Sequence, residues 1–168
     1  MKEKIIVPWV HHTRPDAVNG LASLLEERNI IPVLLPNAYA ALAEIGKFVR
    51  YNVAIASLRL SSGCEPNDKN KHDPVIENIM HHYEGDESPR ENGLHYLCGI
   101  GVYMINHMLR WVDNVIVVTS HSLTEDNFFP DARKRLIGMG VKDVLHTHEV
   151  SIGELTDMIV KYSGRTWR

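Results

Sequence analysis

Cysteine and long apolar runs are both scarce in this chain of 168 residues. The two cysteines, Cys64 and Cys98, form no CxxC pair, so the sequence indicates neither a disulfide framework nor a zinc ribbon. No stretch reaches the roughly 18 consecutive apolar residues that a membrane-spanning helix needs. The amino-terminal apolar stretch is too short for a secretory signal, and histidines follow it. We therefore expect a soluble, cytoplasmic protein.

An excess of positive charge is also missing. The chain has 18 Lys and Arg residues against 21 Asp and Glu residues, giving a formal net charge of −3. Proteins that bind polyanions usually concentrate basic side chains in a patch or stripe, and here these side chains are scattered along the sequence. We expect no nucleic-acid partner and no membrane partner.

What the chain does contain is a regular alternation of two patterns. Short apolar runs such as KIIVPWV, NVAIASLRL and NVIVVTS alternate with amphipathic stretches of helical periodicity. NVIVVTS is apolar on both faces, as expected for a parallel strand that helices cover on each side. The pattern predicts an α/β fold in which five parallel strands alternate with five helices. These form a doubly wound, three-layer sandwich that occupies residues 1–168 as a single domain.

Residues 61–93 interrupt this alternation between the third strand and the third helix. The segment is rich in Asn, Asp, Glu, His and Pro, and it is much longer than the usual loop of a compact α/β unit. We interpret it as an insertion at the carboxyl-terminal edge of the sheet, where open α/β folds bind ligands. It is predicted to be either a lid or docking element, or a plain surface excursion.

Several segments resemble parts of a known family, among them NGLHYLCGIGVYMINHMLRW, which is similar to the family's third helix. The run GMGVKDVLHTHEVSIGELTDMIVKY resembles the end of a response-regulator receiver domain. NVAIASLRL is similar to the family's third strand with its acceptor turn, and NVIVVTS is similar to its fourth strand. The resemblance implies a flavodoxin-like fold with strand order 2-1-3-4-5. It also implies a two-component signalling role, in which an aspartate beside a divalent metal ion accepts a phosphoryl group from a histidine kinase.

The chain departs from this family at the positions that carry the chemistry. Magnesium prefers carboxylate ligands, but the end of the first strand holds histidines where the resemblance implies an acidic pair. The acceptor position falls on Ser57, a neutral hydroxyl with no evident base, and the lysine position falls on Thr147. We therefore interpret the chain as a degenerate receiver, or pseudo-receiver, with no cofactor and no enzymatic activity. The predicted degenerate pocket consists of His11, His12, Thr13, Ser57, Thr119 and Thr147.

Ten histidines are present, and several fall at the predicted carboxyl-terminal strand ends. Two or three imidazoles with suitable directions can bind a transition metal, but no recognised ligand spacing such as HExxH occurs. We predict no metal site and expect these side chains to fill the space of the missing acids. The histidines weighed as metal candidates are His11, His12, His146 and His148. The residues considered for contacts with a ligand or anion are Arg59, His121, His146 and His148.

The resemblance also implies a surface for partners, because receivers signal through the fourth helix, the fifth strand and the fifth helix. In this chain the predicted partner face comprises Phe128, Phe129, Arg133, Val144, Ile152 and Leu155. The sequence thus favours a signalling module that acts by phosphorylation-independent protein–protein interaction, with another protein or with itself as a homodimer. The alternative hypothesis is a small ligand-binding or metal-binding protein, or an enzyme, with a histidine-lined site at the same edge of the sheet.

Overall fold

Strands and helices alternate along the chain in the computed structural model. It describes residues 4–11, 15–45, 51–58, 60, 93–119, 131–147 and 149–164. The strands are β1 (Ile5–Val10), β2 (Ile30–Leu35), β3 (Tyr51–Ala56), β4 (Val112–Thr119) and β5 (Asp143–His146). The helices are α1 (Pro15–Glu26), α2 (Ala38–Ile45), α3 (Gly93–Met108), α4 (Ala132–Met139) and α5 (Ile152–Tyr162). Within the described residues, the predicted alternation of five strands and five helices is confirmed.

All strand pairs are parallel, and the five-stranded sheet has the order β2-β1-β3-β4-β5. This is the order that the sequence analysis predicted. Parallel neighbours need a connection that crosses back over the sheet, and the intervening helices of the βαβ units provide it. The flavodoxin-like, doubly wound architecture is therefore confirmed.

Two separate layers of apolar side chains cover the two faces of the sheet. One layer surrounds Val10, Ala54 and Val117 and includes side chains of α2, α3 and α4. The other surrounds Val7 and Ile55 and includes side chains of α1 and α5. Burial of apolar surface on both faces explains why the strands read as nearly continuous apolar runs in the sequence.

Proline occurs in two strands, with different consequences. Pro32 lies in the edge strand β2, where its missing N–H removes no bond that the sheet needs. Pro8 lies in the central strand β1 and is buried. Backbone groups of successive residues in β1 face β2 and β3 in turn, and those of residue 8 face β3. Because proline has no N–H, one hydrogen bond between β1 and β3 is not made. The β1–β3 register accordingly covers only two residue pairs, Trp9 with Ile55 and Val10 with Ala56.

Side-chain caps fix the starts of two helices. The Oδ1 of Asn37 accepts a hydrogen bond from the Ala40 N–H at 2.8 Å at the start of α2. At the start of α5, the Ser151 hydroxyl accepts from the Glu154 N–H, while the Glu154 carboxylate accepts from the Ser151 N–H at 2.7 Å. This is the reciprocal capping box, and it lowers the pKa of Glu154 because the bonds from Ser151 favour the carboxylate.

Two asparagine amides hold the other end of α5 against the sheet. Asn114 Nδ2, on β4, donates to the carbonyl oxygens of Tyr162 and of Asn52, both at 2.9 Å. Asn52 Nδ2, on β3, donates to the Ser163 carbonyl at 3.2 Å. The last carbonyls of a helix have no partner within the helix, so these amides cap α5 from the strands. We call this group of bonds the amide clamp.

No helix within the described residues is both long and apolar enough to cross a membrane.

Candidate functional site

The carboxyl-terminal ends of the strands bring four of the predicted pocket residues to one edge of the sheet. The His11 N–H donates to the Leu35 carbonyl at 3.0 Å, and the Ser57 N–H donates to the Val10 carbonyl at 2.9 Å. The Thr147 N–H donates to the Thr119 carbonyl at 2.9 Å. His11, Ser57 and Thr147 therefore extend the ladder by one residue past the strands.

These four side chains differ in how far they reach solvent. His11 and Thr119 are buried, with 8% and 1% of their surfaces exposed, while Ser57 is half-buried and Thr147 is exposed. None of the four has a carboxylate or an ammonium group. The chemistry available from them is hydrogen bonding by hydroxyl groups and by one imidazole.

His146 ends β5 at the same edge and is half-buried. Its carbonyl accepts from the N–H groups of Glu149 at 2.9 Å and Val150 at 3.2 Å, which closes the turn into α5. Among the described residues, no group of three or more His, Cys, Asp or Glu side chains could hold a metal ion.

Several predicted site residues lie outside the described residues. They are His12, Thr13, Arg59, His121, His148, Phe128 and Phe129. The proposed insertion, residues 61–93, also lies outside except for its last residue. Gly93 is the first residue of α3, so the helix begins within the predicted bounds of that segment.

The segment directly after Ser57 is packed beneath α3. Leu58 and Leu60 are fully buried, and Gly101 of α3 lies against the Leu58 backbone. A Cβ at position 101 would overlap the Leu58 carbonyl group and lie 2.5 Å from its carbon, closer than real Cβ contacts occur. The sequence alone does not identify Leu58 as the residue that Gly101 contacts. The glycines within the helical run GIGVY do indicate that another part of the backbone lies close to the helix.

The predicted partner face is only partly a surface. Arg133 is exposed and Ile152 is half-buried, but Val144 and Leu155 are 0% and 1% exposed. We correct the prediction for these last two residues: their side chains belong to the apolar layers on the two faces of the sheet and support the face from beneath. The alternation of β5 turns Val144 inward, and the apolar stripe of α5 turns Leu155 toward the sheet.

Side chains also close the outer edge of β5, which the sequence analysis did not anticipate. The Val144 N–H donates to Asp143 Oδ1 at 2.8 Å, and Arg133 Nη1 donates to the Val144 carbonyl. Both backbone groups of Val144 that point away from β4 are thereby paired. The sequence signal was limited to an acidic residue at the start of the strand and a basic residue on the preceding helix.

Solved receiver domains share this fold across nearly the whole chain. A response regulator receiver domain from Clostridium thermocellum superposes with a TM-score of 0.62 at 12% identity, covering 96% of this chain and 95% of that one. The BeF3-activated receiver domain of Klebsiella pneumoniae RstA gives 0.61 at 10% identity, covering 95% and 99%. The receiver domain of the sensor histidine kinase PA1611 from Pseudomonas aeruginosa, with magnesium coordinated in its active-site cleft, gives 0.55 at 14%, covering 96% and 99%.

No protein-family model matches the chain, and no curated protein matches its sequence. The likeness therefore lies in the strand order, the crossovers and the placement of helices. The chain has the fold of a response-regulator receiver domain.

Proposed function

We propose that this protein is a receiver-like signalling module of the cytoplasm that works by binding another protein and does not accept a phosphoryl group. In this proposal residues 1–168 form one domain, and residues 61–93 form an insertion at the edge that carries the degenerate pocket. The partner binds the face formed by α4, β5 and α5. A second copy of the chain is the other partner considered.

The identity of the residue after β3 carries the proposal. Ser57 stands at the position that the family resemblance assigns to the phosphoryl acceptor, and its N–H pairs with the end of β1. The PA1611 receiver is described with magnesium in its cleft. Magnesium prefers oxygen ligands with negative charge, whereas this edge holds His11, Thr119 and Thr147 beside Ser57. A serine hydroxyl is also a weak nucleophile unless a positioned base removes its proton.

The acceptor prediction is tested with a small phosphodonor. The full chain is incubated with acetyl phosphate and magnesium, beside an intact receiver domain as the positive control, and intact masses are measured. We expect the control to gain one phosphoryl group and this chain to gain none. A phosphoryl group on Ser57, lost in the Ser57→Ala variant, would refute the proposal.

The partner prediction is tested with crosslinking from the surface of the face. A photoreactive residue is placed at Arg133, which is exposed, and a matched one at Glu26, which is exposed on α1. We expect the residue at position 133 to form adducts with the partner and the residue at position 26 to form none. The Ser57→Ala substitution is expected to leave the adducts from position 133 unchanged. Equal adducts from both positions would contradict this choice of face.

A further inference from the structure

Helix α4 concentrates positive charge on the surface of an otherwise acidic chain. Its eight residues include no acidic side chain and three basic ones. The basic side chains, all exposed, are Arg133, Lys134 and Arg135. The chain as a whole has a formal net charge of −3. An exposed apolar side chain, Ile137 at 45%, lies on the same helix. We call the exposed side of α4 from Arg133 to Gly138 the basic helix face.

The geometry of a helix places the charge and the apolar side chain together. Lys134 and Ile137 are three residues apart and therefore neighbours on the surface of the helix. Gly138 is also exposed, and a Cβ built there meets nothing within 4 Å. A partner can therefore approach the backbone of α4 closely beside Lys134 and Ile137.

This arrangement works against the stability of the helix. Basic side chains in the first turn repel the positive end of the helix dipole, where acidic residues are favourable. Asp131, at the N-cap position, has a left-handed backbone conformation (φ 55°), and its side chain makes no capping bond. Local rules that a sequence breaks without a gain in stability often mark functional surfaces.

The neighbouring strand edge limits how a partner can bind. Asp143 and Arg133 pair the outward N–H and carbonyl of Val144, and the turn after β5 occupies the His146 carbonyl. An added strand needs free outward groups along such an edge. A partner at this face therefore binds through side chains on the helix.

A second copy of the chain offers little acidic surface for this purpose from α5. The Glu154 carboxylate accepts the Ser151 N–H within the capping box. Asp157 is the other acidic side chain of α5, and it is exposed. One exposed carboxylate outside the capping box is a poor match for three basic side chains, so we assign the acids to a different protein.

We propose that the basic helix face is the docking surface for an acidic segment of another protein, with a carboxylate against Lys134 and an apolar side chain on Ile137. This inference rests on the proposed function, because it names the chemistry of the partner at that same face. Oppositely charged groups raise the rate at which the two proteins associate and select the partner. The apolar contact at Ile137 adds affinity because it removes apolar surface from water.

The test uses three labelled synthetic peptides of equal length and fluorescence anisotropy with the full chain. The first peptide has glutamates and leucines spaced three or four residues apart, so that a helix places them side by side. The second has lysines in place of the glutamates, and the third has serines in place of the leucines. We expect only the first to bind well, and its Kd to rise with salt, because screening weakens pairing between exposed charges. The other two are expected to bind at least about ten-fold more weakly, a difference of about 1.4 kcal/mol.

Matched variants locate the binding surface. Lys134→Glu and Ile137→Ser are each expected to raise the Kd of the acidic peptide by about ten-fold or more. Lys161→Glu, which reverses an exposed charge on α5, is expected to change it little. Circular dichroism and thermal melting establish that each variant is folded, since surface substitutions change stability only slightly.

Several results would overturn the inference. They are absent binding of the acidic peptide, equal binding of the basic peptide, and equal effects of Lys134→Glu and Lys161→Glu. Self-association that Lys134→Glu abolishes would assign the surface to a second copy instead. The phosphodonor assay on the same samples separates these failures from failure of the proposed function, because phosphorylation of Ser57 refutes that function whichever peptide binds.

Discussion

Replacing Asn114 with alanine tests how strongly the amide clamp holds α5 to the sheet. The substitution removes one Nδ2 group that donates two hydrogen bonds of 2.9 Å, to the carbonyls of Tyr162 and Asn52. A net contribution of about 1 kcal/mol per bond gives an expected loss of about 2 kcal/mol in the free energy of unfolding. For a domain of this size, that loss lowers Tm by about 4–8 °C.

Further substitutions of the two asparagines test whether the loss of stability comes from the hydrogen bonds of the amide clamp. Asn52→Ala removes only the 3.2 Å bond to the Ser163 carbonyl, so its expected cost is about half as large, about 1 kcal/mol. Asn114 donates to the Asn52 carbonyl and both amides bind the end of α5, so the two substitutions are expected to depart from additivity by about 0.5 kcal/mol or more. Asn114→Asp is expected to cost more than alanine, because a carboxylate would face two carbonyl oxygens.

Urea denaturation followed by circular dichroism measures these differences, with Cm compared at constant m. Hydrogen exchange adds a local measurement, since the Ser163 N–H donates to the Ile159 carbonyl at 2.9 Å in the last turn of α5. That amide is expected to exchange faster in Asn114→Ala than in the parent chain. A loss below about 0.5 kcal/mol, or parental stability in Asn114→Asp, would refute the clamp as a stabilising contact.

Three further predictions concern single positions. Gly101→Ala is expected to destabilise the fold by about 2 kcal/mol or more, because the new methyl group meets backbone atoms that cannot rotate away. Gly20→Ala is expected to stabilise the fold by about 0.5–1 kcal/mol, because a Cβ there meets nothing within 4 Å. Thermal melting of both variants measures these changes. Ser151→Ala is expected to cost about 1 kcal/mol in urea denaturation through loss of the α5 cap, and Ser151→Asn much less. Burial, and then the carboxylate of Glu44, raise the pKa of Tyr51 to about 12. The stability from neutral Tyr51 is present below its ordinary pKa of about 10 and is lost as pH rises through 12, so Tyr51→Phe should flatten the fall in stability over that window.

The layered fold was predictable because burial on both faces of a parallel sheet leaves a direct record in the sequence. Runs such as NVIVVTS show it, and the alternation with amphipathic helices restricts the topology. Pro8 could have argued against a central strand, since proline removes a ladder bond. The neighbouring apolar residues outweighed that cost, and the β1–β3 pairing is short as a result.

The side-chain contacts that hold the helices and strands together were beyond the reach of sequence patterns. Asn52 and Ser163 are 111 positions apart, and no local rule connects them. The inward orientation of Val144 depends on the register of β5 against β4, which a four-residue strand does not reveal. The positions of Ser57 and Thr147 at one edge, by contrast, followed from strand order alone.

Contacts at both ends of β3 bear on how a receiver-like fold can work without phosphorylation. Near the start of the strand, Asn52 ties the sheet to the end of α5, and past its end Leu58 lies beneath Gly101 of α3. A phosphorylation switch operates by adding charge that reorders an adjacent segment. Here the residue between these contacts is neutral Ser57, and the next residue, Leu58, is fully buried with its backbone against a helix that tolerates no Cβ at that point. Under the function that we propose, the partner binds without a phosphoryl group on Ser57, so regulation lies in whether that partner is present.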